Sequence, residues 1–111
     1  MKKVGFQFFA AVITIAVVFI LPSPARAQSA SETLYKSKCA GCHGPDGSGS
    51  AIGQKLGAHN FQTAEVQKMS DVELSAIITN GKNKMPSYGK TLKVADIKGL
   101  VEYIRSLAAA K

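Results

Sequence analysis

The two cysteines of this chain lie three residues apart, and a histidine follows the second directly: Cys39-Ala40-Gly41-Cys42-His43. No other feature limits the fold as strongly. The chain has only 111 residues, and a domain this small buries little surface against its entropy cost, so it needs a staple or a cofactor. C-x-x-C-H is the attachment signal for a c-type haem. Two thiols on one helical turn can reach two vinyl groups, and the next residue places an imidazole on the ring normal. A redox dithiol of the thioredoxin kind needs a strand-rich context that the pattern lacks. A zinc site would have to draw on Cys39, Cys42, His43 and His59, without a second paired spacing. A plain disulfide leaves His43 unexplained.

The first 27 residues read as an export signal. Lys2 and Lys3 form a basic start, residues 4–21 are almost continuously apolar, and Pro22 and Pro24 are expected to break any helix. Ala25-Arg26-Ala27 then supplies a small-x-small cleavage site, so cleavage is expected before Gln28. An uncleaved membrane anchor is the alternative, and the domain proper is expected over 28–111. Removing the signal takes three basic residues and no acid, so the net charge falls from +7 to +4. That balance argues against a nucleic-acid binder of high charge density. The expected location is the periplasm or an equivalent lumenal compartment.

The remaining sequence reads as all-α, with three main helices and glycine-rich loops wrapped around one covalently attached haem. A first helix is expected over about 31–39, with Ser29 and Glu32 as a capping box. Residues 44–57 hold too much glycine to sustain a helix, and Ile52 and Leu56 are expected to touch the cofactor. Ser70-Asp71-Val72-Glu73 is a capping box that opens a second helix, with Met69 and Leu74 as a hydrophobic staple. Leu74, Ile77 and Ile78 form its buried stripe, and Gly81 ends it. A third helix over about 94–107 buries Val94, Ile97, Leu100, Val101, Ile104 and Leu107, with Lys98, Glu102 and Arg105 on its other side. Residues 108–111 are expected to fray.

The face of the haem opposite His43 decides its use. A strong protein ligand confines the iron to electron transfer, whereas an open face permits gas binding or peroxide chemistry. Met85 is the candidate ligand, because Pro86 forces it into extended geometry on a stiffened loop between helices. His59 is the rival, and Met69 reads as core.

These residues together resemble a small class I cytochrome c, similar to the short soluble bacterial and photosynthetic carriers. The likeness rests on Leu34-Tyr35, on Cys39 to Gly44, on Lys84-Met85-Pro86-Ser87-Tyr88 and on Leu100-Val101-Glu102-Tyr103-Ile104. It implies one haem c, held by two thioethers to Cys39 and Cys42, with His43 and Met85 as axial ligands of the iron. It also implies a crossing of the first and last helices at Ser31, Tyr35, Leu100 and Tyr103. A carbonyl at Gln54, where the family often has proline, would take the proximal imidazole's Nδ1–H. Ser31 stands where the family often has glycine.

The function so implied is a monohaem carrier of single electrons, the iron cycling between ferric and ferrous, and not an enzyme. No residue needs to act as acid, base or nucleophile. Four-helix gas-binding cytochromes c carry their motif near the C-terminus, and multihaem proteins carry several. Lys55, Lys82, Lys84 and Lys90 are expected to frame the haem edge and steer an acidic redox partner into a transient complex with a monomer. The alternative is a haem enzyme or gas or ligand sensor with a labile sixth ligand, for which His59 or Tyr88 would supply the polar distal group.

Overall fold

The computed structural model describes residues 15–20 and 23–110. Most of the expected export signal lies outside them, as does Lys111. Among the described residues six helices follow one another: α1 (Pro24–Lys38), α2 (Ala40–His43), α3 (Ala51–Lys55), α4 (Ala64–Gln67), α5 (Asp71–Asn80) and α6 (Val94–Ala109). Among the described residues there is no strand, only an isolated bridge between Lys82 and Met85. No helix there is long and apolar enough to cross a membrane.

Helix α1 starts earlier than the sequence predicts. Pro24 opens the helix instead of breaking it, because proline at the first helical position gives up an N–H that would be unpaired anyway. Ser23 caps it, its hydroxyl accepting from the Arg26 N–H. The capping box expected at Ser29 does not form. Ser29 lies within the helix, and Glu32 pairs with Lys36 one turn on. The boundary expected after Ala27 therefore falls inside α1.

Two short helices occupy ground that reads as loop. Helix α3 forms in the glycine-rich stretch because Ser50 caps it, accepting from the Gly53 N–H at 3.0 Å. Gly53 is required at its centre, since a Cβ there would overlap the Cys42 carbonyl oxygen. Helix α4 is a single turn that buries Val66.

Helices α5 and α6 follow their sequence signals closely. Ser70 and Glu73 make both bonds of the capping box, at 3.1 and 2.7 Å, and Gly81 caps the far end with φ +75°. Leu74 and Ile78 are buried, and Ile77 is half-buried. In α6 the stripe Ile97, Leu100, Val101 and Ile104 is buried as expected, but Val94 is 86% exposed. Val94 opens the helix, before α6 reaches the core. The Asp96 carboxylate accepts from the Lys93 N–H at 3.0 Å and fixes that first turn. The helix continues through Ala109, two residues beyond Leu107.

The core lies where α6 crosses α1 and packs on α5. Tyr35 and Leu100 are its most enclosed side chains, and Tyr103 lies 5.0 Å from Tyr35 between ring centres. Ser31 fits at the crossing for a reason the sequence pattern did not single out: its hydroxyl faces Gly99, where a Cβ would collide with it. Arg105 is likewise no mere surface residue. Its guanidinium donates to Asp71 at 2.9 Å, to the Gln67 carbonyl at 3.1 Å and to the Met69 carbonyl at 2.6 Å. One side chain thereby ties α6 to the α4–α5 junction with charge-assisted bonds.

Candidate functional site

Of the C-x-x-C-H residues, Cys39 forms the break between α1 and α2, and Ala40–His43 are α2 itself. Cys39 ends α1, its N–H donating to the Tyr35 carbonyl at 2.8 Å, and α2 begins immediately. Both cysteines are free thiols, Cys39 half-buried and Cys42 exposed. Burial pushes the Cys39 thiol up to about 11.

A four-residue helix cannot satisfy its own last carbonyls. Here the next segment does so. The Ser50 hydroxyl donates to the Gly41 carbonyl at 2.7 Å, and the Ser50 N–H to the Cys42 carbonyl at 2.9 Å. The Gly49 N–H donates to the His43 carbonyl at 2.8 Å. The Tyr35 hydroxyl, fully buried, donates to the Gly44 carbonyl at 2.7 Å. Successive carbonyls of the turn that carries His43 are thus each held by a donor from outside it. Gly53 lets α3 come close enough for this.

The His43 ring is half-buried and stacked on Phe61, with ring centres 4.5 Å apart and planes at 25°. Phe61 in turn meets Tyr35 edge-on at 6.5 Å. Burial, and secondarily His59, hold the imidazole below its ordinary value. The Gln54 carbonyl does not take the His43 Nδ1–H as expected. It accepts from the Gly57 N–H at 3.1 Å within the α3 cap, and His43 Nδ1 is buried without a hydrogen-bond partner. Phe61 is the neighbour that fixes the ring plane. Phe61 belongs to no motif, and its contact with a residue 18 positions away leaves no local signal in the sequence.

Met85 sits at the end of a tight turn. The Met85 N–H donates to the Lys82 carbonyl at 2.9 Å, and the Lys82 N–H to the Met85 carbonyl at 3.2 Å. Asn83 takes the left-handed conformation with φ 54° that the turn demands. Gly81 is needed before it, because a Cβ there would sit 2.7 Å from the Met85 carbonyl oxygen. The Met85 side chain is half-buried against the core cluster, as Tyr88 and Cys39 are. Tyr88's phenol is raised chiefly by burial, then by Cys39 and Cys42.

His59 stays near enough to His43 to act on its imidazole, but pairs with another residue. It is exposed, with Nδ1 3.9 Å from the Glu65 carboxylate. Ile52 and Leu56 present apolar side chains to solvent, 61% and 40% exposed. Among the described residues no three His, Cys, Asp or Glu side chains converge as a metal site would require. The donors that do come together suit a flat, covalently tethered group. They are two free thiols one turn apart, an imidazole beside them and exposed aliphatic side chains nearby.

Comparison with known proteins agrees with this chemistry. Residues 26–104 match the family described as cytochrome c oxidase, cbb3-type, subunit III. The chain is 30% identical to a cytochrome c6 of Rippkaea orientalis, over 99% of this chain and 97% of that protein. It is 37% identical to the Cbb3-type cytochrome c oxidase subunit CcoP of Azospirillum brasilense over 78% of this chain, but spans only 30% of that protein's length. Among solved structures, the KustC0563 c-type cytochrome superposes with a TM-score of 0.66 and 34% identity, covering 69% of this chain and 95% of that one.

Proposed function

The chain belongs to the small monohaem class I c-type cytochromes, with covalently bound haem c and its iron, and from that premise we propose that it is an exported carrier of single electrons. His43 and Met85 serve as axial ligands, and Cys39 and Cys42 as the thioether anchors. The observation that carries this reading is the pair of fixed backbones. The turn bearing His43 is held by Ser50, Gly49 and Tyr35, and Met85 ends a turn closed by reciprocal hydrogen bonds.

Haem c supplies the one-electron couple when bound. The protein's part is to keep its own ligands still. A backbone whose carbonyls are all occupied has little room to rearrange when the charge at the site changes, and small rearrangement favours fast transfer. Methionine opposite histidine also raises the reduction potential relative to two histidines. Ile52 and Leu56 would cover apolar cofactor surface and keep water from it. Residues 1–27 act as the export signal. Cutting after Ala27 removes the first turn of α1 and leaves the packed part, from Ser31 onward, intact.

Lys55, the last residue of α3, and Lys82, Lys84 and Lys90, on the loop that carries Met85, are all exposed. They steer an acidic redox protein into brief contact at the haem edge, and a monomer suffices for this. Three measurements test the reading. Spectroelectrochemical titration of the haem-loaded protein should give a single one-electron wave, and the ferrous protein should bind carbon monoxide slowly. Rapid carbon monoxide binding would instead identify an open, ligand-binding iron. Association with an acidic partner should slow as salt is raised, and a salt-independent rate would remove the steering role.

A further inference from the structure

Tyr88 is over-connected for a loop residue. Its N–H donates to the Ile78 carbonyl at 3.0 Å, and its carbonyl accepts from Leu92 at 2.9 Å and Thr91 at 3.1 Å. On either side, the Ser87 hydroxyl and the Gly89 N–H both donate to the Thr79 carbonyl, at 2.9 and 3.0 Å. The main chain here is therefore anchored to the end of α5 without any help from the phenol. The hydroxyl nevertheless crosses 50 residues of sequence to donate to the Lys38 carbonyl at 3.2 Å. Lys38 is the last residue of α1 and directly precedes Cys39. Among the described residues this is the one hydrogen bond joining segment 81–92 to segment 38–44.

We propose that Tyr88 is a positioning residue, a latch that ties the Met85 loop to the start of the C-x-x-C-H turn and so holds the Met85 side closed over the haem. The inference rests on the reading of Met85 as the axial ligand. Opening the site on that side requires the Met85 loop, Tyr88 included, to move away from the segment carrying Cys39, and the Tyr88 hydroxyl bond must break for that to happen. The main-chain and Ser87 bonds of the loop to Ile78 and Thr79 are the same with and without the hydroxyl, so the phenol bond is the one difference. Removing the hydroxyl alone should leave the fold unchanged and make the open form more populated.

Tyr88→Phe in the full haem-loaded chain is the test, with imidazole as the competing ligand for the ferric iron. Displacement of Met85 is followed by loss of the weak long-wavelength sulfur-to-iron charge-transfer band. The variant should bind imidazole about fivefold more tightly than the parent, the factor one ordinary hydrogen bond is worth. Amide exchange of the Lys82 and Met85 N–H groups should quicken by a similar factor. Ser70→Ala serves as a control, since it removes the cap at the far end of α5 and lowers the melting temperature without touching this loop. It should leave imidazole affinity unchanged. Unaltered affinity in Tyr88→Phe overturns the latch, and so does an equal gain in both variants, which would report general loosening. A parent protein with no sulfur band would instead show that the Met85 reading had failed, and the latch would fall with it.

Discussion

The two sides of the site are built on opposite principles. The histidine side is compact in sequence. Residues 39–44 carry the thiols and imidazole, and residues 49–53, only a few positions on, occupy the carbonyls of that turn. The methionine side is assembled from a local turn, the end of α5 and one side-chain bond to Lys38. Removing any single donor on the histidine side leaves its neighbours in place. On the methionine side the bonds of Ser87, Tyr88 and Gly89 hold the loop to the end of α5, and one side-chain bond ties it to the end of α1. The histidine side is thus held by several neighbours, and the methionine side chiefly by one helix.

Gly53→Ala should break the histidine side most severely. The added methyl group overlaps the Cys42 carbonyl oxygen, which is backbone and cannot rotate away. A loss of about 3 kcal/mol or more is expected, seen as a collapse in the yield of haem-loaded protein and in its denaturant midpoint. Tyr35→Phe should cost about 1–2 kcal/mol, because it withdraws a fully buried donor from the Gly44 carbonyl. That carbonyl keeps only the Gly47 N–H at 3.2 Å. Thermal unfolding measures the loss, while the charge-transfer band, which reports the methionine face, should stay.

These effects bear on how much of the molecule its sequence discloses. Helix α5 is legible because its start and stop are written in adjacent residues: Ser70 and Glu73 cap one end and Gly81 the other. The α6 stripe is legible because four buried residues share one helical face. The C-x-x-C-H turn and the Met85-Pro86 loop stand out as contiguous motifs. What stayed hidden depends on partners far along the chain. Gly99 matters only because Ser31 faces it, Arg105 because the Gln67 and Met69 carbonyls point at it, and Phe61 because His43 lies against it. Helix α3 was hidden for a different reason: glycine content argued against a helix, yet Gly53 is what permits that helix to dock.

On the methionine side, Asn83 sharpens the contrast. Asn83→Ala places a residue with no polar side chain at φ 54° and should cost about 1 kcal/mol, whereas Asn83→Gly should be neutral or slightly stabilising. Denaturant titration reads both. The alanine variant should also weaken the charge-transfer band, an effect that no histidine-side substitution of equal cost should share. The smallest expected effect lies outside both faces. Glu73 is held below the usual carboxylate range by its bonds with Ser70. Its contribution is present above the unfolded carboxylate's range and is lost as pH falls through the lowered folded value. The acid limb of the stability profile should therefore flatten slightly in Glu73→Gln.

The absorption spectrum of the ferric, haem-loaded protein at neutral pH tests the central claim most directly. With His43 and Met85 as the ligands, the long-wavelength sulfur-to-iron band should be present in the parent and in His59→Ala, and absent from Met85→Ala. A band that survives Met85→Ala, or a parent spectrum that is high-spin or low-spin without the band, would contradict it.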